Sequence, residues 1–168
     1  MVFEHETLDV YRLTMGYVAW INKMEHNSNL KWQEHVGTGR KYLNTAVKGL
    51  SRPSVFTNDL VYQLTAMAIE HLLAGVYLFH RQMPTDHTLD GLVDGLAPFC
   101  PLDTQLAEGI KRLNQYDDMC PLVPVRRVVP DDMAIKAILE LGKQVAGFVE
   151  LHVKPSDVYN FRGHDCFV

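Results

Sequence analysis

The chain lacks most of the features that would place it quickly. It has no clean apolar run of membrane-spanning length. The longest apolar stretch, residues 66–81, reads AMAIEHLLAGVYLFHR and is interrupted by Glu70, His71 and His80, whereas a membrane helix needs about 20 predominantly apolar residues. The opening MVFEHETLD is acidic and holds no apolar segment, so no secretory signal is expected there. Cysteine is scarce and odd in number. Cys100, Cys120 and Cys166 cannot all pair within one chain, and reduced thiols in a cytoplasmic protein are the expectation. There is no Cys-x-x-Cys, no nucleophile elbow and no dinucleotide fingerprint. GTGRK at 37–41 lacks the spacing of a phosphate-binding loop. No Glu is followed by a His three residues later, the spacing by which helical bundles hold a pair of metal ions. No metal and no cofactor are therefore expected. A strong excess of either charge is missing too. The net charge of −4 gives no overall pull toward nucleic acid or anionic membrane, although it leaves room for a local basic patch. No linker rich in Gly or Ser divides the 168 residues, a length that suits one domain with a sizeable core.

Helical periodicity is what the chain does have. Val10, Leu13, Tyr17, Trp20 and Met24 follow 3–4 spacing, which predicts a helix over 7–26. A second stripe, Leu30, Val36, Leu43, Val47 and Leu50, predicts a helix over 30–51. Gly37 and Gly39 cost it roughly 1 kcal/mol each, so a break near 37–39 is expected. The strongest signal lies at 57–82. Thr57, Asn58 or Asp59 can cap it, and Leu60, Leu64, Met67, Leu72, Val76 and Phe79 form its main stripe. Its apolar residues run nearly all round, which predicts a central position in a bundle, and Pro84 ends it. A short helix over 87–97 carries Leu89, Leu92, Val93 and Leu96. Another over 103–116 carries Leu106, Ile110 and Leu113. The stretch DDMCPLVPVRRVVPDD is too rich in proline for a helix. A last helix over 131–152 is built on Ala134, Ile138, Leu141, Val145 and Phe148. The tail over 155–168 has no clear period. No segment alternates as a strand would. The fold class expected is all-α, an up-and-down bundle with a four-helix core and additional helices.

Few residues stand out as carriers of chemistry. Glu70 and His71 sit inside the most apolar segment, yet neighbours on a helix point about 100° apart, so both cannot serve one point. They are expected to bond to neighbouring helices or face a subunit interface. Arg81 and His87 flank the turn after the long helix. As a pair they suit acid–base chemistry on RNA, the imidazole moving a proton and the guanidinium stabilising a phosphate. The favoured alternative makes His87 a residue of the next helix start beside Asp86, and Arg81 a solvated cation stabilised at a helix end. Arg126 and Arg127 can grip phosphate or pair with the nearby Asp117, Asp118, Asp131 and Asp132. The two Cys-Pro pairs, at 100–101 and 120–121, share with regulatory haem sites only that dipeptide.

Two resemblances follow from these residues. The region 31–152, with AMAIEHLLAGVYL in its long helix, DHTLDGL at the next helix start and RRVVPDD before the last helix, resembles the HEPN domain family. Glu70, His87, Leu89, Arg127, Pro130 and Asp131 match that family's pattern. The resemblance implies nucleotide or RNA binding. It also implies, for cutting members, a metal-independent ribonuclease activity, for which Arg81 and His87 are the candidates here. Cutting members carry their Arg-x4–6-His late in the bundle, whereas this pair is early. FEHETLDVYRLTMGYVAW, residues 3–20, is similar to the first helix of the four-helix-bundle proteins encoded in ribosomal RNA intervening sequences, which form ring-like oligomers. The Asn-Ile-Ala-Glu-Gly segment of those proteins is absent. The combined expectation is a cytoplasmic bundle that binds RNA or a nucleotide through Arg81, His87, Glu70, His71, Arg126 and Arg127. It is expected to self-associate, as a dimer through aromatic faces of the helices at 7–26 and 57–82, or to dock a cognate protein, and to have no membrane contact.

Overall fold

The computed structural model describes residues 31–116 and 128–154. The chain divides into two units, Met1–Lys31 and Trp32–Val168, and the description below concerns the second. The helix expected over 7–26, Arg126, Arg127, Cys120, Cys166 and the tail over 155–168 lie outside the described residues.

Among the described residues all regular structure is helical, and the fold is an all-α helical bundle. The elements are α1 Trp32–Gly49, α2 Asn58–Phe79, α3 Leu89–Leu96, α4 Thr104–Lys111 and α5 Asp132–His152; a tighter 3-10 turn, Arg112–Tyr116, extends α4. No described helix is long and apolar enough to cross a membrane. Side-chain oxygens satisfy the orphan N–H groups at the helix starts. Thr57 accepts from Leu60 N at 3.3 Å, Asp103 from Gln105 N at 2.8 Å, and Asp131 from Ala134 N at 2.7 Å.

Named contacts fix the directions. Trp32 meets Phe79 edge to face at 5.4 Å, and Gly49 lies against Phe56, so α1 and α2 run antiparallel. Asn58 Nδ2 donates to Asp132 Oδ1 at 2.9 Å, while Gly142 packs on Thr65 and Leu43, so α5 runs parallel to α2. Between them α4 returns: Gly109 rests on Leu141, and the Tyr62 hydroxyl donates to Leu113 O at 3.1 Å. The chain thus passes along α1, back along α2, returns through α4 and the 3-10 turn, and rises again in α5. Helix α3 packs on the end of α2, where the Tyr77 hydroxyl donates to Leu92 O at 2.9 Å. Lys111 pairs with Asp94 and ties α4 to α3.

α2 is the central helix. Val61, Ala68, Ile69, Leu72, Leu73 and Val76 are buried to within 1% of complete, and each of the larger ones contributes about 1.5–3 kcal/mol by leaving water. Ile110 of α4 and Ile135, Val145 and Val149 of α5 close the core around it.

Four expectations need correction. α1 is not broken at 37–39. Gly39 is where α1 comes closest to α2: a Cβ there would stand 2.8 Å from Leu72 Cγ and 2.9 Å from Ala68 O. Tertiary packing therefore outweighs the helix-propensity cost of that glycine. The α1 stripe is also rotated, since His35, Val36, Leu43 and Ala46 are buried while Val47 and Leu50 are exposed. In α2, Leu60 and Met67 point outward, at 37% and 39% exposure, and the buried stripe runs through Val61, Ala68, Leu72 and Val76. The aromatic face of α2 is internal as well. Tyr62 and Tyr77 are buried in the chain's own core, so they are not an exposed surface for a second copy.

Candidate functional site

The end of α2 is built in an uncommon way. His80 is the C-cap. Arg81 N donates to Leu78 O at 3.1 Å, and Gln82 N donates to Tyr77 O at 2.8 Å. This pair of bonds is the Schellman closure, whose turning residue adopts the left-handed conformation and is usually glycine. Here it is Arg81, with φ 56°. A side chain there costs about 1–2 kcal/mol relative to an ordinary helical backbone. The guanidinium is exposed.

The following loop holds His87 by fixing its neighbours. Asp86 Oδ1 accepts from Thr88 N at 2.9 Å, and Thr88 Oγ1 accepts from Gly91 N at 3.0 Å to cap α3. The Thr88 backbone bond holds the Asp86 carboxyl below its usual range. Gly91 lets α3 start against Asp86, because a Cβ would lie 2.5 Å from the Asp86 side chain. His87 itself is half-buried, and burial lowers its pKa. At neutral pH it is an uncharged imidazole able to accept a proton.

His80 sits between aromatic rings. Phe79 and Phe99 lie with centroids 5.3 Å from it. Its Nε2 is buried and has no hydrogen-bond partner. Burial, then the nearby His152, lowers its pKa. His152 closes the same end from α5, stacked on Phe148 at 4.2 Å, with Nδ1 donating to Phe148 O at 2.8 Å. Tyr77 anchors α3 beneath this cluster. Burial, then the charge of Asp94, pushes its phenol up to about 12, so it remains a hydrogen-bond donor at any physiological pH. One end of the bundle therefore collects His80, Arg81, His87, His152 and the exposed Lys154 around half-buried aromatic rings.

Glu70 and His71 diverge as helix geometry requires. Glu70 is exposed, while His71 is half-buried and turns toward α1. There it meets His35, with the two Nδ1 atoms 3.2 Å apart and the ring centroids 5.2 Å apart. Tyr42 lies on the other side of His71 at 5.6 Å. Burial lowers the His71 pKa. His35 was not among the residues singled out from sequence. Its signal was its place one position before Val36 on the inward stripe, but its partner lies 36 residues away, which no local pattern reveals. Among the described residues no three His, Cys, Asp or Glu side chains gather as metal ligands. Cys100 is buried, and burial pushes its thiol up, which suits packing rather than thiolate chemistry.

Of the other residues carrying the family resemblance, Leu89 is buried in the core and Pro130 is buried ahead of α5. Asp131 is the N-cap of α5. These positions are explained by folding alone. Comparison of the chain with protein-family models, with curated proteins and with solved structures finds no match.

Proposed function

We propose that this chain is a HEPN-like helical bundle that binds RNA or a nucleotide at the end where α2 stops, without strong catalysis. The observation that carries the reading is Arg81. An arginine held in a left-handed cap, where glycine is easier, is a strained residue, and such strain persists where function uses it. A guanidinium is always charged and presents a planar fork of donors that fits phosphate. Phe79, Phe99 and Trp32 are half-buried at the same end, the kind of ring on which a base stacks. His80, His87 and His152 add imidazole rings at the same end. The expectation of weak catalysis follows from the early place of Arg81 and His87, since cutting members of the family carry their pair late in the bundle.

The direct test is incubation of the purified protein with short single-stranded RNA in EDTA, comparing wild type with His87→Ala. The expected result is that RNA is bound and recovered intact with both proteins. Cleavage by wild type that His87→Ala abolishes would replace this reading with a metal-independent ribonuclease using Arg81 and His87. Failure of both RNA and mononucleotides to bind would leave a surface for protein assembly.

A further inference from the structure

We propose that His35 and His71 form two corners of a binding site for a divalent transition cation of the zinc class, set between α1 and α2. His71 lies about three turns of α2 before Arg81. Its geometry is the argument. A tetrahedral zinc with Zn–N bonds of about 2.0–2.1 Å holds its ligand nitrogens roughly 3.3 Å apart. The two Nδ1 atoms stand 3.2 Å apart. An N–H bond between the rings would be at the long limit of ordinary donor–acceptor distances, whose mode is about 2.9–3.0 Å for N–H···O.

The spacing is also held in place. His71 lies between two points of close helix approach along α2. On one side Gly75 admits Val36, where a Cβ would come within 2.6 Å of Val36 Cγ2; on the other, the Ala68 carbonyl oxygen lies 2.9 Å from where a Cβ on Gly39 would stand. Neither helix can retreat without opening both packings, so the nitrogens are positioned before any ion arrives. Imidazole is a common ligand for zinc, nickel and copper. His71 is half-buried, so water has a side from which to complete the shell. Burial favours the unprotonated ring at His71, the form that binds metal. The spacing rule for di-metal bundles misses such a pair because it reads along one helix, whereas these ligands come from two.

The test uses the full chain, stripped of metal and held at pH 7.5. Cobalt(II) is titrated in and followed by its visible absorption, and zinc is then added as competitor. We expect saturable binding of one cobalt, displaced by zinc, and in His71→Asn and His35→Asn a loss of affinity at least as large as the roughly 10–100-fold that removing an outer-shell partner costs. Circular dichroism verifies that each variant is folded. If a variant does not fold, imidazole proton resonances of the wild type are read instead, and zinc is expected to shift those of His35 and His71 before any other histidine. Zinc is also expected to raise the wild-type Tm with concentration. No cobalt spectrum with wild type, full affinity in folded His71→Asn, or zinc shifts confined to other histidines would each overturn the site. RNA binding is read at Arg81, roughly 15 Å along α2 from His71 at 1.5 Å per residue, so its outcome leaves this test unaffected.

Discussion

Gly39→Ala is expected to lose about 1–3 kcal/mol of folding stability, whereas Gly37→Ala, two residues away on the same helix, is expected to gain about 0.5–1 kcal/mol. Both changes add one methyl to an α-helix, and in isolation both would stabilise it. The packing decides the sign. At Gly37 a Cβ would meet nothing within 4 Å, so the gain in propensity is kept. At Gly39 it would press on Leu72 Cγ at 2.8 Å and on the Ala68 carbonyl oxygen at 2.9 Å. The leucine tip can shift, but the carbonyl belongs to the backbone of the central helix and cannot move alone. α1 would have to lift off α2, exposing a core in which Leu72 and Ala68 are fully buried. Urea unfolding of the two variants, with unchanged m-values, is the measurement. A higher midpoint for Gly39→Ala would mean that α1 and α2 do not cross at this point.

Stability is expected to fall as pH drops from 7.5 to 5, and His80→Leu is expected to flatten that fall. The folded pKa of His80 lies below the ordinary 6.5, through burial and then His152. His87 is shifted the same way by burial. Between the folded value and 6.5, the unfolded chain binds a proton that the folded chain does not. The stabilisation is therefore complete above the unfolded value and is lost as pH falls below it, toward the folded value. Leu in place of His80 removes the titration. It also removes a buried nitrogen without a partner, a defect that costs about 1–3 kcal/mol. His80→Leu should consequently be at least as stable as wild type at pH 7.5 and more stable at pH 5. Thermal melts across this range decide the matter. A variant that loses stability as steeply as wild type would show that another group governs acid sensitivity.

The helices were legible in the sequence because their signals are local. Thr57, Asp103 and Asp131 cap α2, α4 and α5 by bonds that span three residues or fewer, and Leu89, Leu92, Val93 and Leu96 bury the short α3 by its own period. The faces of α1 and α2 were less legible. A glycine reads locally as a weak point, but Gly39 and Gly75 are points of approach whose meaning resides in the opposite helix. Their packing turns α1 so that His35 goes inward and Val47 outward. The site shows the same division. Arg81 and His87 stand out by their place after a long helix. The left-handed conformation of Arg81 was not legible, because only about a third to a half of helices end on such a residue and no glycine marks the place. The pairing of His35 with His71 was not legible either, because it depends on the register of two helices.

The most direct test of the central claim is Arg81→Gly, measured for stability and for binding of single-stranded RNA and mononucleotide at fixed salt. The account predicts opposite signs. Folding should gain about 1 kcal/mol, because glycine takes the left-handed cap without strain. Affinity should fall about tenfold, the equivalent of roughly 1.4 kcal/mol. An Arg81→Gly protein that is more stable and binds as tightly as wild type would contradict the claim that this arginine is held in its strained position for a phosphate.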